Sequence, residues 1–234
     1  MSDVPPDQGF DGYAADYDAA LQQGLAVSGE DKGFFARGRI AWLARCLKRI
    51  GFAPRTALDF GCGTGTSVPL LLELLKVDHV VGVDVSRESL AVARRLHGKL
   101  PARFVALADY VPDGSIDLAF CNGVFHHIPL DRRDAAVRFV SAALRPGGLF
   151  ALWENNPLNP GTRYVMSKIP FDRDAVTLTG GAARRLVRGG GFEALRTDYL
   201  FIFPALLKMF RFVEKYVTRL PLGAQYQVLG RKAA

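Results

Sequence analysis

Two stretches of this 234-residue chain bring together residue types that chemistry requires. The first is Ala57-Leu58-Asp59-Phe60-Gly61-Cys62-Gly63-Thr64-Gly65, where an apolar strand end runs into glycines at alternate positions and a helix follows. Glycine tolerates positive φ and has no Cβ, so such a turn lets backbone approach a ligand, while the helix start beyond it offers N–H donors. A ligand at the carboxyl ends of the strands is therefore expected. A second strand ends in Gly82-Val83-Asp84 and sets a carboxylate at the neighbouring strand tip. The natural partners of Asp84 are the two ribose hydroxyls of an adenosine; capping of the helix that opens near Ser86 is the alternative. Nicotinamide and flavin enzymes use G-x-G-x-x-G at this place. Gly61, Gly63 and Gly65 instead give G-x-G-x-G, with an acidic residue two positions ahead of the first glycine.

The second stretch is Phe125-His126-His127-Ile128, after the fourth strand candidate. An imidazole with a pKa of about 6.5 suits a general base at neutral pH. His126 and His127 are therefore the catalytic candidates, and capping the next helix or packing on a ligand is the alternative role. Adjacent histidines without nearby carboxylate or cysteine partners make a poor metal site, and no metal is expected. Cys46, Cys62 and Cys121 are odd in number and widely spaced, which fits reduced thiols rather than a zinc site or disulfide framework.

Alternating strand-like and helix-like stretches must position these groups, the pattern of a parallel sheet with helices on its faces. Thr56 to Phe60, His79 to Val83, Arg103 to Ala106, Ile116 to Cys121 and Leu149 to Glu154 read as short strands bounded by turn residues. Between them, Ser67 to Lys76, Arg87 to Lys99 behind a Ser86 N-cap, and Leu130 to Leu144 read as helices. Lys32 to Ile50 carries Ile40, Leu43, Ala44 and Leu47 at helical spacing and is expected to lie against the sheet. Upstream, Gly9 to Gly29 with Phe10, Tyr13 and Tyr17 suggests a loop or short helix folding over the mouth of a site.

After Glu154 the style changes. Asn155 to Asp174 holds three prolines and two Asn-Pro steps and is expected to form neither a regular helix nor a central strand. Its Asn159, Arg163, Lys168, Phe171, Asp172 and Arg173, with Glu154, Asn155 and Asn156 before them, are candidates to face a second substrate. A short helix over Ala182 to Val187 and strands over Phe192 to Phe203 and Gln225 to Gly230 complete the pattern. Between the strands, Leu206, Phe210, Val213 and Val217 share one helical face, and Lys208, Arg211, Lys215 and Arg219 the other. Such a helix either buries its apolar side against the sheet or touches an anionic membrane or lipid-like molecule.

The length fits one α/β domain. The opening residues hold Asp3, Asp7, Asp11, Asp16 and Asp18 without a basic residue, unlike a secretory signal, and no apolar run approaches bilayer-spanning length, so a soluble cytoplasmic protein is expected. The net charge of +7 suits an acidic partner. Nucleic acid is disfavoured, because the basic residues are dispersed and no RNP, zinc-finger or homeodomain signature accompanies them.

With these motifs the chain resembles the class I S-adenosylmethionine-dependent methyltransferases of the broad small-molecule group, closely over Ala57 to Leu152. The resemblance implies S-adenosyl-L-methionine as cofactor, with the loop Asp59 to Gly65 beneath its amino acid portion and ribose, and Asp84 on the ribose. Asp109 in Ala108-Asp109-Tyr110 matches an acidic residue that contacts the adenine. Asp117, Asn122 to Ile128, and Leu144-Arg145-Pro146-Gly147-Gly148 match later landmarks, Asp117 in a structural role. The implied cofactor-binding set is Asp59, Gly61, Cys62, Gly63, Gly65, Asp84, Val85, Asp109, Tyr110 and Asn122. Tyr17 and an arginine, Arg37 or Arg39, join it from the N-terminal region, the arginine pairing with the donor's carboxylate. The expected fold is a Rossmann-like, doubly wound α/β sheet of seven strands in the order 3-2-1-4-5-7-6, the last antiparallel. Residues 1–234 then form one domain, with a lid or cap over 1–50, a donor-binding core over 51–154 and an acceptor side over 155–234. The acceptor is a small molecule, acidic or lipid-like, and residues 205–220 are the candidate for peripheral membrane contact. A non-catalytic module that binds the donor, and a nicotinamide-dependent oxidoreductase with an unusual turn, are the alternatives in other classes.

Overall fold

The computed structural model describes residues 29–169 and 175–233. Seven strands form one sheet in the order β3-β2-β1-β4-β5-β7-β6, as expected. They are β1 (Thr56–Phe60), β2 (His79–Asp84), β3 (Ala102–Ala106), β4 (Ile116–Asn122), β5 (Leu144–Asn155), β6 (Phe192–Leu200) and β7 (Gln225–Lys232). The first five pair in parallel, and β7 runs antiparallel to both β5 and β6.

Buried strand residues alternate between the two faces, as the two-residue period of a strand requires. Ala57, Val80, Leu118, Phe120, Ala151 and Trp153 join one core cluster. On that face lie α1 (Lys32–Arg49), α2 (Val68–Leu75) and α3 (Arg87–His97), supplying Leu43, Leu71 and Leu90. Leu58, Phe60, Val81, Ala119, Cys121, Phe150 and Leu152 point the other way. There they meet α4 (Arg133–Ala143) and α6 (Gly180–Gly189) through Val137, Val140 and Val187. Consecutive residues thus feed opposite cores, which is why these strands read as nearly continuous apolar runs.

Local signals set most boundaries. Ser86 caps α3 by accepting from Ser89 N at 3.0 Å. Asp117 accepts from the backbone N of Arg55 and Thr56 at 2.8 and 2.9 Å, tying the entry of β1 to β4 in the structural role expected of it.

Two expectations are corrected. Residues 155–174 do contain a helix, α5 (Pro160–Lys168). Asn159 caps it by accepting from Thr162 N, and Pro160 occupies the first turn, where a missing N–H costs nothing. Residues 205–220 do not form one amphipathic helix. A 3-10 segment, Ala205–Phe210, kinks at Leu207 before α7 (Arg211–Val217). The register of the two faces is lost at the kink, and most of the apolar side chains are exposed rather than packed on the sheet, Leu206 by 90% and Phe212 by 70%.

Candidate active site

The carboxyl ends of β1, β2, β4 and β5 converge on one crevice. Gly61, Gly63 and Gly65 all adopt positive φ, of 74°, 51° and 81°. Each serves a different need. A Cβ on Gly61 would stand 2.3 Å from Val124 of the β4 loop, and one on Gly65 would meet His97 and Phe104. A Cβ on Gly63 would meet nothing within 4 Å, so this residue faces open space. The turn is hooked to β2 by Gly61 N and Cys62 N donating to Val83 O at 2.8 and 3.0 Å.

Asp84 locks the turn from the neighbouring strand, accepting from Gly63 N at 2.7 Å and from Ser86 N at 2.9 Å. The carboxylate therefore serves the turn and helix entry, and its lone pairs outnumber these two bonds. Val85 beside it is 42% exposed, an apolar surface at the crevice edge. Asp109 is exposed and paired with Arg87 at 3.0 Å, while Tyr110 is buried against Phe139.

Beneath the turn, Asp59 is buried and its Oδ2 has no hydrogen-bond partner. Burial, then the nearby Asp84 charge, push its carboxyl up to about 7, and Arg39 opposes them. Two close carboxylates, one of them short of a partner, fit a cationic ligand. The open side of Gly63 leaves room for it. These features match a donor carrying ammonium and sulfonium charges. Cys62 and Cys121 are buried, and burial holds both thiols well above their ordinary pKa, so neither is a ready nucleophile.

Beside this crevice lies a cavity of about 340 Å³, lined by Asn122, Gly123, His126 and His127 from β4 and its loop. Asn155 and Gln225 close it at the sheet, Met166 and Ile169 line it near α5, and Phe34, Phe35 and Arg39 enter from α1. Phe201, Phe203 and Arg211 complete the wall. Of the two arginines on α1, Arg39 faces the cavity, donating to Gln225 Oε1 at 2.9 Å. Arg37 instead forms a two-point bond to Glu73 at 3.1 and 2.9 Å on the exposed side of α1, away from the crevice. The signal was present: Arg39 lies on the stripe of buried Phe35, Ala36, Leu43 and Cys46, which helical periodicity turns to the sheet.

Glu154 and Asn156, expected from the sequence to face a substrate, are both buried. Glu154 Oε1 accepts from Phe125 N at 2.7 Å, and its Oε2 lies 2.6 Å from His126 Nδ1. Asn156 donates to Pro221 O and Gly223 O, while Asn159 donates to Leu222 O besides capping α5. Arg163 and Lys168 are exposed on α5. Tyr17, Phe171, Asp172 and Arg173 lie outside the described residues.

Comparisons with known proteins agree with this geometry. Residues 58–150 match a family model described as a methyltransferase domain. A trans-aconitate 2-methyltransferase of Rhodopseudomonas palustris (strain BisB5) is 34% identical over 123 residues, 51% of this chain and 46% of the relative. One of Sinorhizobium medicae is 32% identical over 132 residues, 55% of this chain and 50% of the relative. The chain thus spans about half the length of the curated relatives it matches. Among solved structures, a SAM-dependent methyltransferase of Thermotoga maritima shares the fold with a TM-score of 0.65 at 18% identity, covering 95% of this chain and 98% of that one. The plantazolicin methyltransferase, solved with SAH, does so with a TM-score of 0.63 at 15% identity, covering 96% and 99%. The strand order and the glycine turn agree with these findings: the chain has the fold of these solved methyltransferases, and its residues 58–150 are similar to the methyltransferase domain.

Proposed function

We propose that this protein transfers the methyl group of S-adenosyl-L-methionine to a small-molecule nucleophile bound in the cavity beside the glycine turn. The observation that carries the reading is the open side of Gly63 above the buried, partner-short carboxylate of Asp59. When bound, the donor supplies an activated methyl group on a sulfonium. The chain's own work is then to hold the reactants in line and keep water out. Asp84 and Val85 serve the ribose side, Asp109 and Tyr110 the adenine side, and Asp59 and Arg39 the amino acid end. His126 and His127 border the acceptor. The described parts of the flanking segments, 29–50, 155–169 and 175–233, close the acceptor side around the donor-binding core of 51–154.

Among the described lining residues, Lys32, Arg39 and Arg211 stand against the single acid Glu30, set among Phe34, Phe35, Phe201 and Phe203, and suit an acceptor with a negative group and an apolar body. The curated relatives act on trans-aconitate, which is consistent with an acidic acceptor. A lipid-like acceptor met at an anionic membrane surface is the second reading. It is favoured by the exposed Leu206, Met209, Phe212 and Tyr216 beside the cavity wall, with Lys208, Lys215 and Arg219 exposed among them. No described helix is long and apolar enough to cross a membrane.

Calorimetry with S-adenosylhomocysteine and NAD tests the donor. Wild type is expected to bind the former and not the latter. Gly63→Val fills the open space and strains a backbone held at φ 51°, so it is expected to abolish binding, and a denaturation curve of the variant reads the cost of the strain separately. Tight NAD binding with no S-adenosylhomocysteine binding would overturn the proposed activity.

A further inference from the structure

Among the histidines at the β4 loop, the structure singles out one. His126 and Glu154 are both buried, with 3% and 1% of their side chains exposed, and their contact is 2.6 Å. They come from the ends of adjacent strands and stand 28 residues apart in sequence. Glu154 is itself fixed, because its other oxygen accepts from Phe125 N, the backbone immediately before the histidine. The histidine is fixed too: its carbonyl accepts from Val176 N at 3.0 Å. With Nδ1 turned to the carboxylate, the Nε2 edge of the ring points away from Glu154, and the residue lines the acceptor cavity. A carboxylate that accepts the Nδ1 proton leaves Nε2 as the proton-accepting nitrogen and stabilises the imidazolium that forms when it is used. Among the described residues, Arg133 of α4, Tyr226 of β7 and Cys121 of β4 also feel the Glu154 charge. Arg133 spends its donors on Ile128 O and Val176 O, and Tyr226 on Leu178 O. These bonds brace the loop and the 175–179 segment around the pair.

The geometry points to His126 as the base of the reaction and Glu154 as its positioning residue, and hence to an acceptor whose nucleophilic atom carries a proton at neutral pH. This rests on the methyl-transfer reading above. The acceptor class is then a hydroxyl, phenol, amine or acidic carbon rather than an already ionised carboxylate, which needs no base. The nucleophile bonds to the methyl carbon as the carbon–sulfur bond breaks and its electron pair stays on sulfur. The nucleophile's proton passes to Nε2 of His126 and is later released to water. Any negative group of the acceptor is a separate anchor near Arg39 and Lys32.

The test reads the imidazole directly. Long-range proton–nitrogen NMR of the full chain labelled at its four histidines, with His126→Gln for assignment, reports which ring nitrogen holds the proton. Neutral His126 is expected as the Nδ1–H form in wild type, and Glu154→Gln is expected to abolish that preference while its amide oxygen still accepts from Phe125 N. An Nε2–H ring in wild type, or one unchanged by Glu154→Gln, overturns the proposal. The second arm incubates wild type with a methyl-labelled donor and a cell metabolite extract. Labelled methyl ethers, methylamines or C-methylated products are expected, with turnover reduced about 100-fold or more in Glu154→Gln, S-adenosylhomocysteine affinity unchanged, and partial recovery in Glu154→Asp. Labelled methyl esters, or no labelled product from a protein that binds S-adenosylhomocysteine, overturn it. Failure to bind S-adenosylhomocysteine at all instead removes the methyl-transfer reading and leaves the ring's tautomer as observed.

Discussion

At the scale of single residues, Asp59 is where the site should report its own charge. Its carboxyl is raised from the ordinary 3.8 to about 7, first by burial and then by Asp84. Between those values the folded chain holds a proton that the unfolded chain has released, so this residue's contribution to stability falls as pH rises through that window. A cationic ligand reverses the preference by favouring the ionised form. Affinity for S-adenosylhomocysteine is therefore expected to weaken as pH drops below about 7, by up to about tenfold per pH unit, and Asp59→Asn should flatten the profile. Calorimetry from pH 5.5 to 8 measures both; a flat wild-type curve would show that Asp59 does not meet the ammonium group that S-adenosylhomocysteine shares with the donor. The turn above it was readable from sequence because positive φ and the missing Cβ belong to glycine itself. The His126–Glu154 contact was not, since it joins strands that become neighbours only through the sheet order. Arg39 lies between these cases: helical spacing marks its buried side, while its partner Gln225 sits 186 residues away.

Secondary-structure elements were legible where one signal dominated. Strands β1 to β4 were found within about a residue at each end because their apolar runs stop at glycine, proline or acidic residues. Helix α5 is hidden in the sequence because Asn159-Pro160 reads as a breaker, although the same pair makes a good N-cap and first turn. Around α7 the helical period was present in sequence but was not realised, because the chain kinks at Leu207. The apolar side chains there consequently face out, which separates a stability role from a binding role. Leu206→Ser and Phe212→Ser should each change stability by no more than about 0.5 kcal/mol, since neither side chain is packed. If this surface meets lipid, wild type will co-sediment with phosphatidylglycerol vesicles at low salt and the double variant will not. A wild type that stays in the supernatant discards the membrane reading while leaving the cavity untouched.

For the whole molecule, the cavity exists because α1 is docked across the antiparallel end of the sheet. Asp198 of β6 is fully buried and holds that docking together: it accepts from Trp42 Nε1 of α1 at 3.1 Å and from Thr218 Oγ1 after α7 at 3.3 Å, and it pairs with Arg196. Gln227 of β7 reaches Cys46 on the same helix, and Arg39 reaches Gln225, so three contacts fix the α1 face that walls the site. This arrangement was invisible in sequence, where Asp198 looks like an ordinary polar residue in a strand of mixed character. Breaking a buried ion pair leaves the remaining charge uncompensated. Asp198→Ala is thus expected to lower unfolding stability by about 3–5 kcal/mol in denaturant titration, far more than an exposed aspartate would. Hydrogen exchange gives the sharper reading. Amides of α1 should lose protection well before those of β1 and β4, because the central parallel strands keep their own cores while the helix that carries Arg39 loses its anchor. Uniform loss across the sheet would instead mean that α1 and the central strands unfold as one unit, and that the acceptor side cannot loosen without the donor side.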